Sequence, residues 1–190
     1  MKMLFLLVLT LSLCVPIVSY GDSTCTDTIG HEYLVEDVLR WEGHTSIVTN
    51  MSTSDMLTLI YMESTGNPYA RRPRSRFHGL LQISNAYMQD ALEYAGHPIA
   101  PASTLMGDGV HSIQIFDWYM QRYSFLHQWN PKKVAMLHKM GPSGLGRVLA
   151  RVENGTSLGD AVCDDNLAGA CEYYKRFVTV RKYYKHCSVS

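Results

Sequence analysis

The residue with the clearest chemical potential is Glu63. It closes the apolar stretch Leu59-Ile60-Tyr61-Met62, and no other acid follows until Asp90. Between the two lie the arginines Arg71, Arg72, Arg74 and Arg76, then the turn-like Gly79-Leu80-Leu81-Gln82. Ile60 stands three residues before Glu63 and Met56 seven, so on a helix Glu63 continues the apolar stripe. Burial and the negative end of a helix both disfavour a carboxylate's charged form. A carboxyl group still protonated near neutrality is what general-acid cleavage of a glycosidic bond requires. The plain alternative is a solvent-facing glutamate in a last helical turn. Around it, Tyr61, Tyr69, Phe77 and Tyr87 offer flat faces suited to sugar rings or to a core.

Other chemistries find less support. The chain has no His-Glu-x-x-His, no Cys-x-x-Cys and no phosphate-binding Walker loop. Gly141-Pro142-Ser143-Gly144-Leu145 ends in leucine where a nucleophile elbow needs glycine. The eight histidines are scattered. No metal and no cofactor is therefore expected. Lysine plus arginine and aspartate plus glutamate each number 17. That balance argues against a nucleic-acid partner, whose footprint is a basic excess.

The elements that must position Glu63 are read from caps and punctuation. Ser54 is expected to open a helix through Met56, Leu57 and Ile60, stopped by Gly66-Asn67-Pro68. Ser84 or Asn85 opens the next, closed by Gly96 and Pro98. Asp108 precedes a run with Val110, Ile113, Phe116, Met120 and Tyr123 on one face. Asn130-Pro131 pairs a cap with a first-turn proline, and Gly141 is expected to end that helix. A last helix is expected over 173–184, stapled by a disulfide. The arginine-rich loop 69–77 is the expected place for a hairpin. The fold class expected is mainly α, with a small β-hairpin beside a cleft.

Residues 1–21 read as a secretory signal peptide: Lys2, an apolar run from Leu4 to Leu13, then the small Ser19 and Gly21. The run is shorter than the roughly 20 residues of a spanning helix. A secreted protein without membrane insertion is expected, its residues 22–190 forming a single domain and a monomer. Loss of Lys2 with the leader leaves one acid in excess. Cys14 leaves as well, and Cys25, Cys163, Cys171 and Cys187 remain, an even number that suggests two disulfides. Of the three pairings, each ties Cys25 to the C-terminal trio. So long a loop contributes about 4–5 kcal/mol on a chain-entropy basis. Asn50-Met51-Ser52 and Asn154-Gly155-Thr156 are glycosylation sequons.

Glu63-Ser64-Thr65-Gly66-Asn67-Pro68, followed by Gly79-Leu80-Leu81-Gln82-Ile83, resembles the Glu-Ser-x-x-Asn-Pro and Gly-Leu-Met-Gln-Ile signature of SLT-type lytic transglycosylases, in the lysozyme-like superfamily. Further on, Tyr119-Met120-Gln121-Arg122-Tyr123 and Ala135-Met136-Leu137-His138-Lys139-Met140-Gly141-Pro142 are similar to segments of invertebrate-type lysozymes. The resemblance spans about 55–144. It implies a lysozyme-like fold, peptidoglycan as substrate and partner, and Glu63 as the single catalytic acid/base. It also implies that Gly79 and Gln82 line the sugar cleft, with Ser64, Asn67, Tyr87 and His138 as further substrate contacts. Gln82 is equally suited to fixing its own turn, and His138 to a structural place in its helix.

The departures bear on mechanism. Invertebrate-type lysozymes place an aspartate about a dozen residues after their glutamate, where this chain has Arg74, Ser75 and Arg76. Goose-type lysozymes carry an acid soon after the Gly-Leu-Met-Gln turn, where this chain has Ser84. The Tyr-Asn of the transglycosylase motif is His138-Lys139 here. Two-carboxylate mechanisms therefore lack a partner acid. A one-acid route remains, in which the substrate's N-acetyl group attacks the anomeric carbon and an anhydro sugar forms. Alternatives are an inactive sugar-binding protein on the same fold, an isopeptidase using Ser64, Ser75 or Ser84 near His138, and a structural or signalling protein. Chitin is an alternative ligand because it shares the N-acetyl group.

Overall fold

In the computed structural model, residues 51–71, 75–165 and 169–184 are described. The chain in these residues is mainly helical, with one small antiparallel sheet. Helix α1 spans Thr53–Ser64 and is followed by the strands β1 (Phe77–His78) and β2 (Ile83–Ser84). Then come α2 (Asn85–Ala95), a 3-10 turn (Ala102–Leu105), α3 (Gly109–Arg122) and the short α4 (Ser124–His127). Helices α5 (Pro131–Glu153), α6 (Leu158–Cys163) and α7 (Ala170–Tyr184) complete it.

The cap of helix α1 lies two residues earlier than expected. Ser52 takes that place: its Oγ accepts from the Asp55 N–H at 3.2 Å and donates to Asp55 Oδ2 at 2.7 Å. This reciprocal pairing satisfies one of the helix's orphan donors. Met56, Leu57, Leu59 and Ile60 are all fully enclosed. The helix is thus surrounded on every side, where the sequence had suggested a single stripe. Each such aliphatic side chain contributes about 1.5–3 kcal/mol on burial. Helix α7 packs along α1, and α2 pairs with α3.

The hairpin also lies downstream of its expected place. Phe77 pairs with Ser84 and His78 with Ile83, so the strands begin where the arginine loop ends. The turn is anchored by Leu80 and Leu81, both fully buried. Gln82 takes a left-handed φ of 48°, and its side-chain amide donates to Ala70 O and Gly79 O at 2.9 Å each.

Ser84, Asp108 and Asn130 cap α2, α3 and α5 as the sequence suggests, and Gly96 closes α2. Gly141 interrupts α5 but does not end it. The chain leaves helical geometry there (φ 71°, ψ 176°) and resumes through Pro142 to Glu153. A proline needs no N–H partner in a first turn, so it restarts the helix at little cost. Helices α6 and α7 are joined by the Cys163–Cys171 disulfide. Cys25, Cys187, Asn50, residues 1–21 and Arg72 to Arg74 lie outside the described residues. Among the described residues no helix is long and apolar enough to cross a membrane.

Candidate functional site around Glu63

Glu63 sits one residue from the end of α1, its side chain 16% exposed. Its carboxylate is approached from two other helices. The hydroxyl of Tyr173, in the first turn of α7, donates to Glu63 Oε1 at 2.6 Å. The His138 ring, just before the break in α5, places Nε2 at 3.7 Å from the same oxygen. Nε2 also lies 3.0 Å from the carbonyl of Leu81, and Nδ1 lies 3.4 Å from the Tyr87 hydroxyl.

These contacts fix the protons. Burial, the largest influence, pushes His138 below its ordinary 6.5, with Glu63 and the Leu81 carbonyl acting the other way. The imidazole is therefore neutral near pH 7 and carries one N–H. A carbonyl only accepts, so the Leu81 contact assigns the hydrogen to Nε2 and leaves Nδ1 to accept from Tyr87. Tyr173 is held well above 10.0 by burial and by Glu63, and Tyr87 by burial, Tyr119 and Glu63. Glu63 is thus met by one neutral donor, Tyr173, and flanked by a neutral ring, His138. Among the described residues its hydrogen-bond and close charge partners are Tyr173 and His138.

Six other acids are committed elsewhere. Asp55 is buried against Arg181. Asp90 accepts from the Tyr123 hydroxyl at 2.6 Å and pairs with Arg122 at 3.0 Å. Asp108 and Asp160 meet their helix N-termini, and Asp165 faces Arg147 at 3.5 Å. Asp117 is the closest competitor: burial raises its carboxyl to about 6 despite a hydrogen bond from Gln121 at 2.6 Å. At 1% exposure, however, it cannot touch a ligand.

The residues singled out in the sequence divide into two groups. Glu63, Tyr87 and His138 come together. Ser64, Asn67, Gly79 and Gln82 instead build the frame. The Ser64 hydroxyl is buried and turns back to Ile60 O at 3.3 Å, which removes it as a nucleophile in this conformation. Asn67 Oδ1 accepts from the Tyr69 N–H at 2.9 Å and shapes the turn after α1. The Gly79 N–H donates to Ala70 O at 3.1 Å, and a Cβ there would meet Leu105 O at 2.9 Å. Gln82 spends its amide hydrogens on the turn that presents the Leu81 carbonyl to His138. Tyr87 stacks on the buried Tyr119 at 3.6 Å between centroids, so one of its faces is already covered.

Tyr173, Tyr119 and Phe116, whose ring lies 5.6 Å from that of His138, were read only as parts of their helices and not as site residues. The only local hint for Tyr173 was its place two residues after Cys171, a position that a disulfide would hold. Among the described residues no group of three or more His, Cys, Asp or Glu side chains is placed to hold a metal ion. No protein-family model matches the chain, and no curated protein matches it.

Proposed function

We propose that the protein is a secreted glycosidase of lysozyme-like fold that cleaves peptidoglycan, with Glu63 as its only acid/base. The observation that carries this is the contrast between Glu63 and the acids around it. It is a carboxyl that stays partly open to solvent while being oriented by a neutral phenol from one helix and flanked by a neutral imidazole from another. Tyr173 occupies a lone pair of Oε1, so the acid proton belongs on Oε2. From there it passes to the glycosidic oxygen as the bond to the anomeric carbon breaks. The substrate's N-acetyl oxygen forms the new bond at that carbon, which supplies the nucleophile that no second carboxylate provides. The Glu63 carboxylate then takes the proton of the sugar's 6-hydroxyl as that oxygen closes the anhydro ring and expels the N-acetyl oxygen.

A second reading, a saccharide-binding protein without turnover, is favoured by the absence of an acid among Glu63's partners in the described residues. Mass spectrometry of soluble products from purified peptidoglycan separates the two. 1,6-Anhydro-muropeptides are expected. Exclusively reducing-end products would replace the anhydro route with hydrolysis, and no release at all would leave the binding protein.

A further inference from the structure

We propose that Tyr69, seated on Gly107, joins Phe77 and the guanidinium groups of Arg71 and Arg76 in a rim that binds a carboxylate-bearing glycan strand. Tyr69 is 67% exposed and Phe77 41%, a large aromatic area to leave in water. Arg71 and Arg76 are exposed as well. An incidental surface tyrosine would swing freely, but this one has a built seat. Gly107 adopts φ +83°, and a Cβ there would come within 2.7–2.9 Å of the ring atoms and hydroxyl of Tyr69. The ring rests where any other residue at 107 would displace it.

The backbone beneath is equally ordered. The Tyr69 N–H donates to Asn67 Oδ1 at 2.9 Å, Ala70 N–H to Asn67 O at 3.1 Å and Gly107 N–H to Pro68 O at 3.0 Å. The second segment is tied to the first through Ala70 O, which accepts from Gly79 N–H and from Gln82. Phe77, whose N–H is held by Ser75 Oγ at 3.0 Å, carries the Arg76 guanidinium 5.5 Å from its ring centre. The loop leaves α1 directly after Glu63, with Asn67 N–H bonded to Ser64 O at 3.1 Å.

The chemistry of these groups names the ligand. Aromatic faces accept the C–H faces of sugar rings, and a fixed ring loses little freedom on binding. Guanidinium groups pair with carboxylates. No acid lies between Glu63 and Asp90 to neutralise them, in a chain whose total charge is balanced. The complement is a saccharide strand with carboxylates, borne either on peptide stems or on uronate sugars.

This inference rests on the proposed function only for the identity of the polymer. It is therefore tested by binding, with calorimetry in the Glu63→Gln background. Tyr69→Ala is expected to weaken peptidoglycan strands about tenfold. Gly107→Ala, which keeps Tyr69 but moves its ring, is expected to do the same. Should Gly107→Ala fail to fold, Tyr69→Ala alone decides. Arg71→Gln with Arg76→Gln should weaken strands with free peptide carboxylates, a uronate polymer, or both. Neutral chitin oligomers should change less than twofold, and the effect should shrink at high salt. The polymer whose affinity falls identifies the carboxylate's source. Unchanged affinity in Tyr69→Ala, equal losses on neutral and charged strands in the double arginine variant, tighter binding of single-stranded DNA, or no strand binding by the parent would each overturn the rim. Binding that behaves as expected without turnover in the wild type would overturn the glycosidase and leave the rim standing.

Discussion

Helices α1 and α7 meet at two acids, and the two meetings could hardly differ more. Asp55, in the first turn of α1, faces Arg181 near the end of α7; Glu63, near the end of α1, faces Tyr173 in the first turn of α7. The helices are antiparallel, and the same number of residues separates the acids as separates their partners. Asp55 is 3% exposed, holds the Arg181 guanidinium through both oxygens and is capped by Ser52. Asp55 in turn raises the pKa of Arg181, so the cation persists. Glu63 has a phenol and a neutral imidazole for company, with solvent on its open side. A carboxylate matched by a permanent cation is a structural clasp. One held by a neutral phenol beside a neutral ring has no such clasp.

Four changes would break or sharpen that contrast. Replacing Cys163 and Cys171 by serine should have the largest effect. The bridge closes a loop with a sequence separation of 8, worth about 2.5 kcal/mol on a chain-entropy basis. Calorimetry should show melting fall by roughly 5–10 °C. Because Cys171 lies two residues before Tyr173, turnover per folded molecule should fall too, while the Asp55 end keeps its contacts.

Asp55→Asn should cost about 2 kcal/mol in denaturant unfolding, the range for hydrogen bonds to a charged group. Arg181 can still reach water, which limits the loss. Turnover per folded molecule should not change, and a drop beyond twofold would mean that the two acids are not separate in role.

Tyr173→Phe keeps the ring and removes one donor. It should lower kcat about tenfold, or about 1.4 kcal/mol, with KM unchanged. A change confined to stability would reduce Tyr173 to a packing residue.

Asp117→Asn should show the smallest effect, with the opposite sign. The Asp117 carboxyl titrates at about 6 in the folded chain against an ordinary 3.8. The folded state therefore keeps the proton longer, and stability falls as pH rises between those values. The substitution should gain about 1 kcal/mol above pH 6, since the new amide donor offsets part of the relief. The gain should vanish below about pH 4, and melts across that range check it.

What was legible in the sequence was local. Ser84, Asp108 and Asn130 act on N–H groups two or three residues away, so their caps could be read from residue type. The cap at Ser52 in place of the expected Ser54 is also local, since Asp55 pairs with it three residues on, but two serines so close left residue type alone to point to the wrong one. Gly141-Pro142 stops a helix and restarts one, and only packing on the far side tells which. The hairpin lies beyond the arginines because Leu80 and Leu81 are buried and pull the turn inward. Glu63 stood out through its isolation in the sequence. Its neighbours did not: Tyr173 is 110 residues away, and its place two residues after Cys171 says only that a disulfide holds it, not what it faces.

On the proposed function, Glu63 is chemical and not architectural. The most direct test of this is the rate of soluble-product release from purified peptidoglycan by Glu63→Gln beside the wild type, with a thermal melt of each. The amide is nearly the same shape and can still accept from Tyr173, but it has no acid proton to give. A fall in rate of at least about 100-fold is expected, with melting temperatures within roughly 2 °C. A rate within a few-fold of wild type would remove Glu63 from the chemistry, and with it the distinction between the two ends of α1.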